Sequence, residues 1–168
     1  MSENSKDNKL PSRRNNRLSE FYYGAGYSYF ITICTKDRTQ ILSKITVGED
    51  IILPPNRVNL TEFGQIAENA LLSIPDYYDG VTVDEYVIMP NHIHLILTIR
   101  NSGRMISSPT MSNVVGQFKR TTSKTVGFPL WQRSFYDHVI RNRQDYDEIR
   151  KYIYKNPINW EKDELFAN

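Results

Sequence analysis

The sequence predicts an α+β fold: a ferredoxin-like βαββαβ sandwich, an antiparallel sheet with helices on one face plus an extra C-terminal helix. Three observations carry this expectation. Segments rich in β-branched and aromatic residues alternate with segments of helical periodicity in the order strand, helix, strand, strand, helix, strand, helix. The two middle strands are separated only by Pro90 and Asn91, a connection short enough to pair them antiparallel. Each of the two inner helical segments carries a single apolar stripe, the pattern of a helix laid on a sheet.

Residues 1–20 read as a flexible basic arm, with Lys6, Lys9, Arg13, Arg14 and Arg17 spread among Asn and Ser. Residues 21–168 read as one domain. Tyr27–Thr35 (YSYFITICT), after Gly24 and Gly26, is the first strong strand. Ile41–Ile52 is apolar but broken around Gly48, which suggests short strand pieces, and Pro54, Pro55 and Asn56 mark a turn. A helix opens at Thr61 or Glu62 and runs to about Ser73 on the stripe Ile66, Ala67, Ala70 and Leu71; Pro75 and DYYDG end it. Val81–Met89 and His92–Ile99 are the paired strands. After a loop over residues 101–110, a helix from about Ser112 to Val126 turns Val114, Val115, Phe118 and Thr122 inward and Lys119, Arg120 and Lys124 outward, and Gly127 and Pro129 stop it. Ser134–Arg141 is the last strand. Asn142 caps a final helix, Arg143–Lys155, which is expected to close at Asn156–Pro157 because the residue before proline avoids helical geometry.

The chain has 168 residues, 39% hydrophobic and 24% charged, which fits a globular domain with a real core and excludes wholesale disorder. Its one cysteine, Cys34, excludes an intramolecular disulfide and a four-thiolate zinc site. No apolar stretch approaches the ~20 residues of a membrane span. The amino terminus has no apolar core of a secretory signal, so a cytoplasmic setting without membrane partners is expected. The net charge of +2 hides segregation: residues 1–48 carry +4, 49–85 carry −7, 86–151 carry +6 and 152–168 carry −1. Such segregation can build a basic face, and Arg13, Arg14, Arg17, Lys119, Arg120 and Lys124 are the candidate DNA-phosphate contacts.

Two clusters could do chemistry. His92 and His94 stand two apart on a strand, so their rings share one face and could share a divalent metal, while Ile93 points into the sandwich. Tyr152 and Asn156 stand four apart on the last helix, so a phenol and an amide oxygen share a helix face one turn apart. Taken together, two imidazoles and one amide make a three-ligand metal site with open positions and a phenol beside it. Such a site could activate a phosphodiester. His138 follows Asp137, but adjacent strand residues point oppositely, so these two are not expected to bond each other. Trp131 and Tyr136 could stack on an unpaired base or simply pack.

YVIMPNHIHLIL (Tyr86–Leu97), LWQRSFYDHVIRN (Leu130–Asn142) and YIYKNP (Tyr152–Pro157) resemble the single-tyrosine transposases with a His-hydrophobic-His motif, in particular the REP-associated tyrosine transposases. The resemblance runs from about Tyr27 to Trp160. It implies that His92 and His94 are the metal-binding pair, Tyr152 the catalytic tyrosine and Asn156 the polar metal ligand one turn later. Tyr136 is the rival nucleophile. The resemblance further implies Mg²⁺ or Mn²⁺ as cofactor, single-stranded DNA with hairpin structure as substrate, and nicking and rejoining through a 5′-phosphotyrosine. A homodimer is possible, since relatives exist as monomers and dimers. The alternatives are a domesticated DNA-hairpin binder without required catalysis, and a phosphoesterase that activates water.

Overall fold

The computed structural model describes residues 26–47, 56–100 and 109–166. The strands are β1 (Tyr27–Cys34), β2 (Ser43–Val47), β3 (Asn56–Leu60), β4 (Val81–Ile88), β5 (His92–Ile99) and β6 (Tyr136–Ile140). The helices are α1 (Glu62–Leu72), α2 (Ile74–Tyr77), α3 (Met111–Val126) and α4 (Arg143–Lys155), with 3₁₀ turns at Lys36–Arg38 and Asn156–Lys162. Four strands form one sheet in the order β4-β5-β1-β6, every neighbour antiparallel, and β2 and β3 form a separate two-stranded ribbon. This is the expected ferredoxin-like sandwich.

The sheet's faces follow from the period of two along β5, HIHLILTI, which is buried at every position. Ile93, Leu95, Leu97 and Ile99 meet Ile31 and Ile33 of β1, Ala67 and Leu71 of α1 and Val114, Val115 and Phe118 of α3 in one core. Each large aliphatic side chain buried there contributes roughly 1.5–3 kcal/mol. The alternate residues, His92, His94, Ile96 and Thr98, face the other way and are buried as well. α4 and the 3₁₀ turn after it cover that side, so the extra helix lies opposite α1 and α3.

Side-chain caps set the helix starts. The Thr61 hydroxyl accepts from Gly64 N at 3.2 Å, Thr110 from Asn113 N at 3.3 Å, and Asn142 Oδ1 from Asp145 N at 2.8 Å. Gly127, at φ 84°, closes α3 in the left-handed conformation and donates to Ser123 O. Gly64 is required by close approach: a Cβ there would stand 2.0 Å from Leu42 O.

The structure departs from the sequence reading at three places. Asn56, expected in a turn, opens β3; only Val58 and Leu60 are apolar in NRVNL, too weak an alternation to reveal a strand. Pro75 does not end the helical region but sits in the first turn of α2, where its missing N–H costs nothing. Asn156 keeps helical dihedrals (φ −57°, ψ −44°) despite preceding proline, and the chain tightens into a 3₁₀ turn whose Pro157 and Trp160 are buried. That burial holds Asn156 in a conformation its neighbour disfavours.

Candidate active site

β5 delivers both histidines to the face under α4. Their ring centroids lie 4.4 Å apart, and both rings are buried. Asn91 fixes the orientation of His92. Its Nδ2 donates to Leu165 O at 2.7 Å, which turns its Oδ1 toward His92 Nδ1 at 2.8 Å. An amide oxygen only accepts, so Nδ1 carries the imidazole proton and Nε2 presents a lone pair. That Nε2 is buried without a hydrogen-bond partner. Thr32, opposite His94 across the β1–β5 ladder, meets His94 Nδ1 at 2.8 Å.

Burial pushes the His92 imidazole down to about 4, against the pull of the Asp163 carboxylate. Burial and the neighbouring His92 hold His94 well below its ordinary value. Both rings are therefore neutral at neutral pH, the state in which imidazole ligates a metal.

α4 brings Tyr152 and Asn156 over the same face. Tyr152 Oη lies 3.4 Å from His94 Nε2, and the two rings are 5.2 Å apart. Phe30 meets Tyr152 edge-on at 5.9 Å and stacks on His94 at 5.2 Å, fixing the phenol's approach. Burial raises the Tyr152 phenol above its ordinary value, with the Asp163 and Glu164 carboxylates adding to the rise and the Asn156 amide opposing it. Asn156 is buried; its Nδ2 donates to Asp163 Oδ2 at 2.7 Å, and its Oδ1 has no hydrogen-bond partner. Two buried acceptors without donors, His92 Nε2 and Asn156 Oδ1, are costly unless something positive meets them. This is the donor set that fits a divalent cation.

Sequence reasoning missed Asp163. Ligand atoms of His92, His94 and Asp163 all lie within 4.8 Å of one another. The 3₁₀ turn delivers Asp163 from seven residues beyond Asn156, with no motif around it to mark it. It also missed the cations of the cleft into which Tyr152, 47% exposed, opens. That cleft has a volume of about 1040 Å³, and Lys151, Lys155 and Lys162 line it. Lys151 and Lys155 flank Tyr152 on α4, a spacing that could have pointed to them.

The other predicted residues fall apart from this cluster. Tyr136 is 60% exposed on β6, and its ring meets Phe30 edge-on at 6.4 Å. His138 Nε2 meets Asp145 Oδ2 at 3.1 Å, which ties β6 to the start of α4; Asp137 is not its partner. Trp131 is buried, with Nε1 donating to Thr122 Oγ1 at 2.6 Å. On α3, Lys119 Nζ donates to the carbonyls of Gln132, Arg133 and Ser134, so its charge is spent on holding that loop. Arg120 and Lys124 line a shallow groove with Phe128 and Arg133. Arg13, Arg14 and Arg17 lie outside the described residues. The histidine pair, Tyr152, Asn156 and Asp163 assemble within a single chain.

The ferredoxin-like sheet, with its His-hydrophobic-His strand under a tyrosine-bearing helix, is the arrangement that the resemblance to single-tyrosine transposases implies. No family model matches the chain. It is 30% identical over 177 residues to a Haemophilus influenzae protein named only as uncharacterized, covering 93% of this chain and 94% of that one. It is 26% identical over 144 residues to the REP-associated tyrosine transposase of Escherichia coli K12, covering 84% of this chain and 73% of that protein. Its fold matches a solved REP-associated tyrosine transposase bound to a REP hairpin with a TM-score of 0.61 at 24% identity, over 85% of this chain and 74% of that one. Over most of its length the chain is similar to REP-associated tyrosine transposases in sequence, and it shares the fold of one of them.

Proposed function

We propose that this protein nicks and rejoins single-stranded, hairpin-bearing DNA, with Tyr152 as nucleophile and a divalent cation, Mg²⁺ or Mn²⁺, held by His92, His94 and Asn156. The observation that carries the reading is the placement of Tyr152 Oη 3.4 Å from His94 Nε2, beside the unpartnered Nε2 of His92 and Oδ1 of Asn156. A hairpin-bound relative of the same fold supports the substrate class.

When bound, the cation supplies Lewis-acid polarisation of a phosphodiester oxygen. The protein's own residues do the rest. Asn91 and Thr32 hold the two imidazoles with their Nε2 atoms available. Phe30 holds the Tyr152 ring edge-on and excludes water from its inner side. Tyr152 Oη attacks the phosphorus, and its proton leaves on the open side toward the cleft. The Oη–P bond forms, the bond from phosphorus to the 3′ oxygen breaks, and the departing oxygen takes up a proton as a 3′-hydroxyl. Rejoining is the reverse transfer, so the phosphotyrosine bond conserves the energy of the broken link. Lys151 and Lys155 neutralise phosphates in the cleft, Arg120 and Lys124 line a second path, and Arg13, Arg14 and Arg17 are further phosphate contacts by their charge alone. In this reading Lys119 serves the loop it holds.

The test is incubation with end-labelled single-stranded hairpin DNA from the gene's own flanks in the presence of Mg²⁺ or Mn²⁺. A protein–DNA adduct that survives denaturation is expected. Hairpin binding without any adduct would leave a binding protein, and cleavage without an adduct would leave a water-activating phosphoesterase.

A further inference from the structure

The geometry points to Asp163 as a further ligand of the cation: a carboxylate brought to the histidine pair by the turn after α4. The inference deepens the metal reading above and rests on it. Two neutral imidazoles and an amide supply no negative charge, whereas hard divalent cations such as Mg²⁺ and Mn²⁺ prefer sites with a carboxylate oxygen. Asp163 is the acid whose ligand oxygen lies within 4.8 Å of the ligand nitrogens of both histidines, in the one such cluster among the described residues.

Its position is built rather than incidental. Oδ1 accepts from Leu165 N at 2.7 Å, which fixes the rotation of the carboxylate. Oδ2 accepts from Asn156 Nδ2 at 2.7 Å, and that bond leaves Asn156 Oδ1 as the amide's free acceptor. Trp160 of the same turn packs on the His92 ring at 5.9 Å, and Asn91, which sets the His92 tautomer, also binds Leu165 O. The segment carrying Asp163 is thus clamped to the same residues that orient the first ligand. A carboxylate with each oxygen accepting one hydrogen bond keeps lone pairs free for a cation.

The experiment is Mn²⁺ binding by the full chain without DNA, read from the electron-paramagnetic-resonance signal of free Mn²⁺ and from the rise in Tm that Mn²⁺ produces. Asp163→Asn is expected to weaken Mn²⁺ by roughly tenfold or more and to shrink the Mn²⁺-dependent rise in Tm. The decisive comparison is made in the Asn156→Ala background. A ligand role means that Asp163→Asn weakens Mn²⁺ again there. If it has no further effect, Asp163 merely positions Asn156 and the inference is overturned. Asp163→Ser gives a second reading of the same comparison if the Asn variant fails to fold. His92→Ala separates the two levels. Wild-type Mn²⁺ affinity in His92→Ala removes the metal reading itself. Loss in His92→Ala with wild-type affinity in Asp163→Asn removes only the role of Asp163.

Discussion

Replacing Tyr152 with Phe deletes one oxygen, and the structure sets what that deletion costs. The ring's contacts survive: His94 at 5.2 Å and Phe30 at 5.9 Å both involve the aromatic face or edge, not the hydroxyl. The hydroxyl's approach to His94 Nε2, at 3.4 Å, is too long for a full hydrogen bond, whose net worth is ~1 kcal/mol. The residue is also 47% exposed, so little burial of the hydroxyl is at stake. The stability change is therefore below about 1 kcal/mol, which is a shift of no more than ~2–4 °C in Tm for a domain of this size. Adduct formation, by contrast, falls to nothing, because among the described residues no other phenol is recorded in contact with the histidine pair. Two measurements check this: a denaturing gel with labelled hairpin and Mg²⁺, and a thermal melt of the metal-free protein. Tyr136→Phe is the control. Its exposed ring touches Phe30 rather than either histidine, so that variant keeps its activity. An adduct retained by Tyr152→Phe, or lost by Tyr136→Phe alone, would refute the assignment. A Tm drop well beyond the stated range would refute the packing argument.

Buried neutral histidines make the metal-free protein acid-sensitive. His92 is held near 4 against an ordinary 6.5, and His94 is lowered too, so the unfolded chain takes up protons first as pH falls. Stability is full above about pH 6.5 and is lost progressively toward pH 4, by a few kcal/mol at most; melts across that range check it, and a His92→Ala variant with an unchanged slope would sink the cause. Gly64→Ala, a change that favours an ordinary helix by ~1 kcal/mol, instead lowers Tm because the new Cβ meets Leu42 O; a higher Tm would show that α1 can move away. Lys119→Ala lowers Tm by releasing three carbonyls yet leaves the salt dependence of hairpin binding unchanged, whereas Lys155→Ala keeps Tm and lowers the salt slope by about one. The opposite pattern in the two melts and two salt titrations would exchange their roles.

What could be read before folding was whatever a local period encodes. The i, i+2 spacing of His92 and His94 and the i, i+4 spacing of Tyr152 and Asn156 each fix a shared face, and the structure brings those faces together. Sequence order alone also gave the sheet, since Pro90–Asn91 leaves β4 and β5 no option but to pair. What could not be read depends on tertiary packing. Asp163 reaches the histidines only because Pro157 and Trp160 are buried, which keeps the chain helical where local rules end it. Lys119 looks like a free cation on the outer face of α3, but its long stem reaches a loop that returns beside it only after β6 has been placed. The strand Asn56–Leu60 is polar at alternate positions with only two apolar residues, so its pairing with β2 is decided by the ribbon rather than by its own composition.

The histidines and the tyrosine stand on elements of unequal permanence. β5 lies in the middle of the sheet, hydrogen-bonded on both edges and buried on both faces, so its amides are expected to exchange with solvent last, near the limit of global unfolding. α4 lies on the outside and counts only Ile153 as fully buried. Its amides open through a local excursion that leaves the sheet intact. Tyr152 can thus withdraw from the histidine pair at a small fraction of the protein's total stability. On the proposed mechanism, in which a covalently held strand is later released, that hierarchy places the movable partner on the cheap element and the fixed one on the costly element. Deuterium uptake resolved by segment would show it directly as fast labelling in α4 against slow labelling in β5.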